Sequence, residues 1–231
     1  MNYIISTEQL TKAYKNFTAV SDVSLHVRRG SIYGFLGPNG AGKSTFLKIL
    51  SGELEPSTGE VIVDEKTRMS VLKQDHYAYD AFTVLDTIIQ GNPRLYEIMQ
   101  QKDALYAKED FTEEDGVLAS ELEGEFAELN GWDAETEAGR ILQGLGLDIA
   151  KLEESMASLP DREKVKVLLA QALFGQPEII LLDEPTNGLD VASISWLEDF
   201  LIDYPGTVIV VSHDRHFLNN VCTHIVDVDY T

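Results

Sequence analysis

The sequence predicts an α/β fold built on a mainly parallel sheet, and three observations carry that expectation. The runs 179–182 and 208–211 are apolar without alternation, which is how strands covered on both faces read. Helical segments at 161–174 and 191–202 alternate with them along the last third of the chain. A glycine-rich stretch at 37–44 lies between a β-rich segment and a helical one.

The first third reads as strands and turns. Segments 3–6, 19–27 and 31–36 are short, β-rich and bounded by Gly30 and Gly37. Ser24, His26 and Arg28 alternate with Val23, Leu25 and Val27, so the second of these is a half-buried strand. A helix is expected from near Gly42 to about Ser51, with Phe46, Leu47, Ile49 and Leu50 inward and Gly52 as its terminator. Two more short strands are expected at 61–63 and 69–72.

Composition shifts after Gly91. Between Arg94 and Gly139 stand fourteen acids and three bases, a net of −11 against −21 for the whole chain. Leu95, Ile98, Met99, Leu105, Leu118, Leu122, Phe126 and Leu129 recur at helical steps. The pattern predicts two helices with a break near residues 112–116 and a third over 134–145. Read without further context, this is a solvated helical hairpin with a thin apolar stripe.

Charge and composition exclude some functions. With 39 acids against 18 bases, the chain lacks the general basic surface that a nucleic-acid coat or an anionic-membrane binder needs. At 44% hydrophobic and 25% charged residues it is an ordinary globular sequence. The single cysteine, Cys222, forms no internal disulfide, in keeping with a reducing cytosol. Residues 1–10 lack a basic segment followed by an apolar core, and no run approaches the roughly 20 apolar residues of a spanning helix. A soluble, cytoplasmic chain without membrane insertion is therefore expected.

Residues 37–44, Gly-Pro-Asn-Gly-Ala-Gly-Lys-Ser, match the phosphate-binding loop G-x-x-x-x-G-K-[ST] in the required strand–loop–helix setting. Its glycines let backbone N–H groups converge on phosphates, and the helix N-terminus adds partial positive charge. Lys43 supplies a point charge for the β- and γ-phosphates, and the Ser44 hydroxyl is a Mg²⁺ ligand. The strand 179–183 ends in Asp183, the kind of carboxylate that supports Mg²⁺ in phosphate-loop enzymes, and Glu184 follows in position to polarise a water. Taken alone, the two acids are equally an acidic strand end before the turn 185–188. His213 follows the second buried strand, where a side chain faces the ligand crevice or simply ends a strand. The spacing of His213, His216, Cys222 and His224 fits no common zinc pattern.

Together these residues resemble the ATP-binding cassette (ABC) superfamily of P-loop NTPases over nearly the whole chain. The resemblance implies a single cassette over 1–231, with a mainly parallel core sheet, an N-terminal antiparallel β subdomain and a helical subdomain. It implies ATP and Mg²⁺ as ligands and ATP hydrolysis as activity. On it, Tyr14 is the aromatic that stacks on adenine, with Phe17 as the other choice. Gly37, Asn39, Gly40, Ala41, Gly42, Lys43, Ser44 and Thr45 hold the nucleotide. Ser44, Gln74 and Asp183 serve Mg²⁺, Glu184 and His213 are catalytic, and Leu189 and Asp190 end the D-loop. A narrower resemblance points to the ABC-F branch of soluble twin-cassette proteins, many of which act on the ribosome. Residues 184–190, Glu-Pro-Thr-Asn-Gly-Leu-Asp, are similar to its E-P-T-N-H-L-D, with Gly188 in place of the usual histidine. Residues 212–218, Ser-His-Asp-Arg-His-Phe-Leu, are similar to its S-H-D-R-x-F-L, and the acidic segment at about 91–140 lies where that branch carries an arm.

One motif departs from the family. Where cassettes read L-S-G-G-E, this chain has Leu159, Pro160, Asp161, Arg162 and Glu163. Pro160 lacks the serine hydroxyl and a backbone N–H, and Asp161 brings negative charge that Arg162 is placed to offset. Pro160 at a helix start, with Asp161 and Glu163 in the first turn, is nonetheless good helix chemistry. Cassettes work as head-to-tail pairs, so the resemblance implies a second cassette as partner and reads this chain as the first half of a longer protein. Alone, it is expected to be a monomer and a weak ATPase. Three functions follow: an ABC-F-type ATPase half acting on the ribosome or another cytosolic assembly, the nucleotide-binding subunit of a membrane transporter, or a silent nucleotide sensor.

Overall fold

In the computed structural model the described residues are 3–64 and 66–228. They group into two compact units, Met1–Leu72 with Pro177–Thr231, and Lys73–Gln176. In chain order the strands are β1 (Tyr3–Tyr14), β2 (Phe17–Arg28), β3 (Ile32–Leu36), β4 (Thr58–Val63), β5 (Met69–Val71), β6 (Ile179–Asp183), β7 (Thr207–Val211) and β8 (His224–Asp227). All lie in the first unit, with helices α1 (Lys43–Leu50), α7 (Val191–Ile202) and α8 (Arg215–Val221). The second unit holds α2 (Val84–Ile89), α3 (Pro93–Tyr106), α4 (Glu113–Glu128), α5 (Ala134–Gly144) and α6 (Asp161–Leu173).

The first unit has two sheets. One is antiparallel with strand order β2-β1-β4, and the other is a five-stranded parallel sheet of order β5-β6-β7-β3-β8. The apolar runs become β6 and β7, whose residues 179–182 and 207–211 are all buried. Phe46, Leu47, Ile49 and Leu50 of α1 share one core with Ile5, Leu10 and Val27 of the first sheet and Phe35, Leu181 and Ile209 of the second. The strands β1 and β2 run well beyond 3–6 and 19–27, to a two-residue turn at Lys15 and Asn16. Their length was hidden because the pairing register shifts several times and Gln9 and Asp22 adopt left-handed φ of 48° and 50°. Such irregularities break the period-2 alternation on which a strand is recognised.

The second unit is helical and acidic. The expected break at 112–116 lies earlier, because α4 already begins at Glu113. Thr112 Oγ1 accepts from the Asp115 amide at 3.2 Å and Asp115 Oδ2 accepts from the Thr112 amide at 3.0 Å. This reciprocal cap starts the helix ahead of Gly116 and outweighs that glycine's poor propensity. A hydrogen bond from the Lys108 ammonium, then the Thr112 amide, holds the Asp115 carboxyl below the usual carboxylate range. Arg94 bridges Glu97 and Glu125, and Lys102 pairs with Glu123 at 2.9 Å. All three bases of 94–139 are thus committed within the segment, and most of its acids face solvent without a cation. Helix α2 was not expected, because six residues are too few to show a helical period.

Among the described residues no helix is long and apolar enough to cross a membrane. Just beyond α2 the chain lies close on α6 at Gly91, where a Cβ would fall 2.0 Å from the Gln171 carbonyl oxygen. Gly91→Ala therefore forces two backbones apart and is expected to destabilise the second unit by about 1–3 kcal/mol, the scale of overpacking a close contact. Urea denaturation with unchanged slope and a lower midpoint would register it; an unchanged midpoint would show that the two backbones separate freely.

Candidate functional site

The parallel sheet brings the motifs to one edge. Val211 of β7 pairs with Phe35 of β3 on one side and with Asp183 of β6 on the other. The loop after β3, the carboxylates ending β6 and the histidine after β7 therefore leave the sheet at its carboxyl end, where ligands bind in open α/β sheets. Leu72, just beyond β5, donates its amide to the Leu181 carbonyl at 2.9 Å and so stays beside β6.

The glycine-rich loop is shaped by close approaches. A Cβ on Gly37 would stand 2.1 Å from the Val228 carbonyl oxygen, and one on Gly42 would stand 1.8 Å from that of Ala19. Gly40 and Gly42 hold left-handed φ of 86° and 87°. Gly42 is the N-cap of α1, no side chain caps that helix, and its first turn carries no acid. Its leading amides and dipole are thus offered toward the loop, which is what a phosphate requires. Lys43 is 6% exposed, and its ammonium donates to the Gly37 and Pro38 carbonyls at 2.7 and 2.8 Å. These bonds place a cation inside the loop. Ser44 is exposed on the first turn beside it, Thr45 is half-buried, and Ala41 donates to the Pro38 carbonyl at 3.3 Å. Glycines that nothing larger can replace, an uncapped helix start, an internal cation and a hydroxyl fit a nucleotide's phosphates with Mg²⁺.

The carboxylates are held from the backbone. Glu184 follows β6 at a left-handed φ of 52°, a conformation that costs of order 1–3 kcal/mol for a residue with a side chain. Its amide donates to the Val211 carbonyl at 2.8 Å, and its Oε2 accepts from the His213 amide at 3.3 Å. The His213 Nε2 lies 3.1 Å from Glu184 Oε1, within ion-pair reach but off the line of a hydrogen bond. The two residues read as catalytic from the sequence are therefore in direct contact. Asp183 is half-buried one residue earlier. Leu189 precedes Asp190, which caps α7 by accepting from the Ser193 amide at 2.9 Å.

The aromatic residues sit at the β1–β2 turn. The Tyr14 ring stacks on Phe17 with centroids 5.1 Å apart, and both are exposed. A cavity of about 280 Å³ adjoins the loop, lined by Thr18, Val20, Gly40, Lys43, Val226 and Val228 among others, but not by Tyr14. Sequence reading missed this wall; the only trace of it is the short β-rich end 224–228. Gln74 belongs to the second unit and is exposed there. So do Leu159, Pro160, Asp161, Arg162 and Glu163. Pro160 is the N-cap of α6, one position ahead of the usual proline place, with Asp161 and Glu163 in the first turn. His213, His216, Cys222 and His224 take separate surroundings: Cys222 Sγ lies against Gly34, His224 stacks on Tyr33, and His216 meets Asn220. Among the described residues no group of three metal-binding side chains forms.

Comparison with known proteins places the molecule. A family model described as "ABC transporter" matches residues 20–187. The "Uncharacterized ABC transporter ATP-binding protein YkpA" of Bacillus subtilis (strain 168) is 56% identical over 98% of this chain and 42% of its own length. The "Energy-dependent translational throttle protein EttA" of Mycobacterium tuberculosis (strain ATCC 25618 / H37Rv) is 32% identical over 98% of this chain and 41% of its own. The chain thus spans less than half of these relatives. In fold it is similar to the "Dimeric Structure of MJ0796, a Bacterial ABC Transporter Cassette", with a TM-score of 0.71, 21% identity, and coverage of 97% of this chain and 94% of that one. With its phosphate loop, its two-sheet core and these relatives in agreement, the chain belongs to the ABC family as an ATP-binding cassette.

Proposed function

We propose that the chain is the ATP-hydrolysing cassette of an ABC-F-type protein. It couples ATP-driven closure onto a second cassette to work on a ribosome-related assembly in the cytoplasm. The observation that carries the hydrolytic part is the Glu184–His213 pair, held at the sheet edge beside the phosphate loop. Lys43 and the α1 amides bind the β- and γ-phosphates, and Ser44, Asp183 and Gln74 are the residues to hold Mg²⁺. When bound, Mg²⁺ neutralises charge that develops on the β- and γ-oxygens. Glu184 accepts the proton of the attacking water, and His213 orients Glu184 and meets the terminal phosphate. Tyr14, backed by Phe17, supplies the face on which adenine stacks.

The ABC-F reading is supported by the 184–190 and 212–218 motifs, by the acidic helical segment, and by relatives that include a protein named as a translational throttle. Residues 1–231 then form one cassette, with residues 91–140 as its arm, in a twin-cassette protein whose relatives are more than twice as long. The uncompensated acids of the arm are repelled by RNA phosphates at close range and fit a basic protein surface better. A membrane-transporter subunit is the second reading, favoured by the names that the family and YkpA carry.

Lys43→Ala is expected to weaken ATP binding by about 1–3 kcal/mol, the loss of a charge-assisted contact. Equal affinities by calorimetry would remove Lys43 from the site. Glu184→Gln keeps the shape but not the basicity. It should leave ATP binding near wild type and lower turnover by about 100-fold or more, the scale of general-base catalysis. Wild-type phosphate release from that variant would put the base elsewhere. Replacing Pro160, Asp161 and Arg162 by Ser, Gly and Gly restores a hydroxyl and a close backbone approach, so ATP-dependent self-association and turnover should rise. Sedimentation of the Glu184→Gln form with ATP is the readout. Strong ATP-dependent dimers before the replacement would show that 159–163 is already a competent signature.

A further inference from the structure

The second unit buries a charge that the nucleotide site does not use. Lys164, in the first turn of α6, is 3% exposed. Its ammonium donates to Asp80 Oδ1 at 2.5 Å and lies 4.7 Å from the centroid of the Tyr77 ring. The same tyrosine turns its hydroxyl to Asp161 Oδ1 at 3.2 Å. Two residues shortly after Gln74 are thus fixed to two residues at the start of α6, and the Tyr77–Lys164 contact joins the two links.

The rest of that segment is tied down beside them. The Val84 amide donates to the Glu154 carbonyl and the Met156 amide to the Phe82 carbonyl, each at 2.9 Å, and Thr83 bridges Ser155. Ser155 Oγ donates to the Asp80 carbonyl at 3.4 Å. From the other side, Lys151 pairs with Glu163 at 2.8 Å. The backbone links hold residues 82–84 to 154–156. The Lys164 cluster fixes residues 77 and 80, closer along the chain to Gln74.

We propose that Lys164 is a positioning residue, which clamps the strap of residues 77–80 onto the first turn of α6 so that Gln74 and the 159–163 loop move as one body. The proposal rests on the reading above, in which Gln74 serves one nucleotide and residues 159–163 face another. A buried ammonium suits this task. It cannot leave its carboxylate and ring without losing solvation that water does not replace, so the clamp is either closed or strongly disfavoured. The cluster also engages Asp161 through Tyr77 and Glu163 through Lys151. Arg162 is left as the residue of that turn with no partner among the described residues.

The test uses the whole protein that carries this cassette, with Lys164→Met and Lys164→Arg. Methionine keeps the stem and loses the charge; arginine keeps the charge. In Lys164→Met, amide exchange over residues 75–82 should accelerate by about tenfold or more, while exchange in α1 stays unchanged. ATP affinity should stay within about twofold and kcat should fall by about tenfold or more at near-constant KM, the pattern of a misplaced group rather than a lost binding contact. Lys164→Arg should restore both readouts, which a general loss of packing would not predict. Should Lys164→Met fail to fold, Asp80→Asn weakens the carboxylate link to Lys164 and Tyr77→Phe removes the hydroxyl link to Asp161, and each should show the same split in smaller measure. Unchanged exchange over 75–82 in these variants overturns the clamp. Faster exchange with wild-type kcat overturns its role in turnover. If the wild-type protein binds ATP but releases no phosphate, the hydrolytic reading fails, and the exchange measurement still decides the clamp.

Discussion

The pairing of β7 with its two neighbours is the constraint on which the site depends. One residue, Val211, is in register with Phe35 on one strand and with Asp183 on another. Parallel strands in fixed register end together, so the phosphate loop, the carboxylates and the histidine emerge at one edge although they lie far apart in sequence. The Val211 carbonyl then accepts the Glu184 amide, so the central strand also orients the residue after its neighbour. A slip of one residue in this pairing would turn β7 inside out and undo both arrangements at once.

Much of this was legible because it is written in contiguous patterns. Residues 179–182 and 208–211 have no other comfortable state than a doubly covered strand, and the Gly-Lys-Ser run fixes strand, loop and helix around it. Helix α7 begins and ends at 191 and 202 as expected, with Asp190 as its cap in the structure. What stayed hidden has physical reasons. The hairpin of β1 and β2 is interrupted by left-handed residues that spoil alternation, and α2 is too short for a period. The break before α4 was misplaced because the cap formed by Thr112 and Asp115 starts that helix ahead of Gly116. In the site, the placement of Lys43 inside the loop and of Glu184 at the sheet edge was readable from the motifs that contain them. The cavity wall at Val20, Val226 and Val228 is made by strands distant in sequence, and apolar residues there carry no chemical signal.

The second unit is organised by charge in a different way. In residues 94–139, bases are scarce and each is spent on internal pairs: Arg94 with Glu97 and Glu125, Lys102 with Glu123, Lys108 with Asp115. Lys102 also lies over the Phe126 ring, 3.8 Å from its centroid. The exposed pairs of Arg94 add little stability each, Lys102 and Asp115 are largely covered, and together the pairs leave the outer face acidic. Around α6 the bases do something else. Lys164 is buried beneath a half-buried Asp80 and an exposed Tyr77, and Lys151 joins the first turn through Glu163, so charge there fixes geometry.

The left-handed backbone at Glu184 has a consequence for how such a cassette tolerates change. The conformation opposes folding, and it persists because the Val211 carbonyl and His213 hold it. Glycine and asparagine adopt it at lower cost than glutamate. On the proposed role of Glu184 as general base, the chain gives up stability at the residue meant to do its chemistry, and substitutions that recover that stability would remove the base. Exchange of Glu184 for glycine or asparagine would then trade turnover for stability, so a demand for stability alone acts against the reactive side chain.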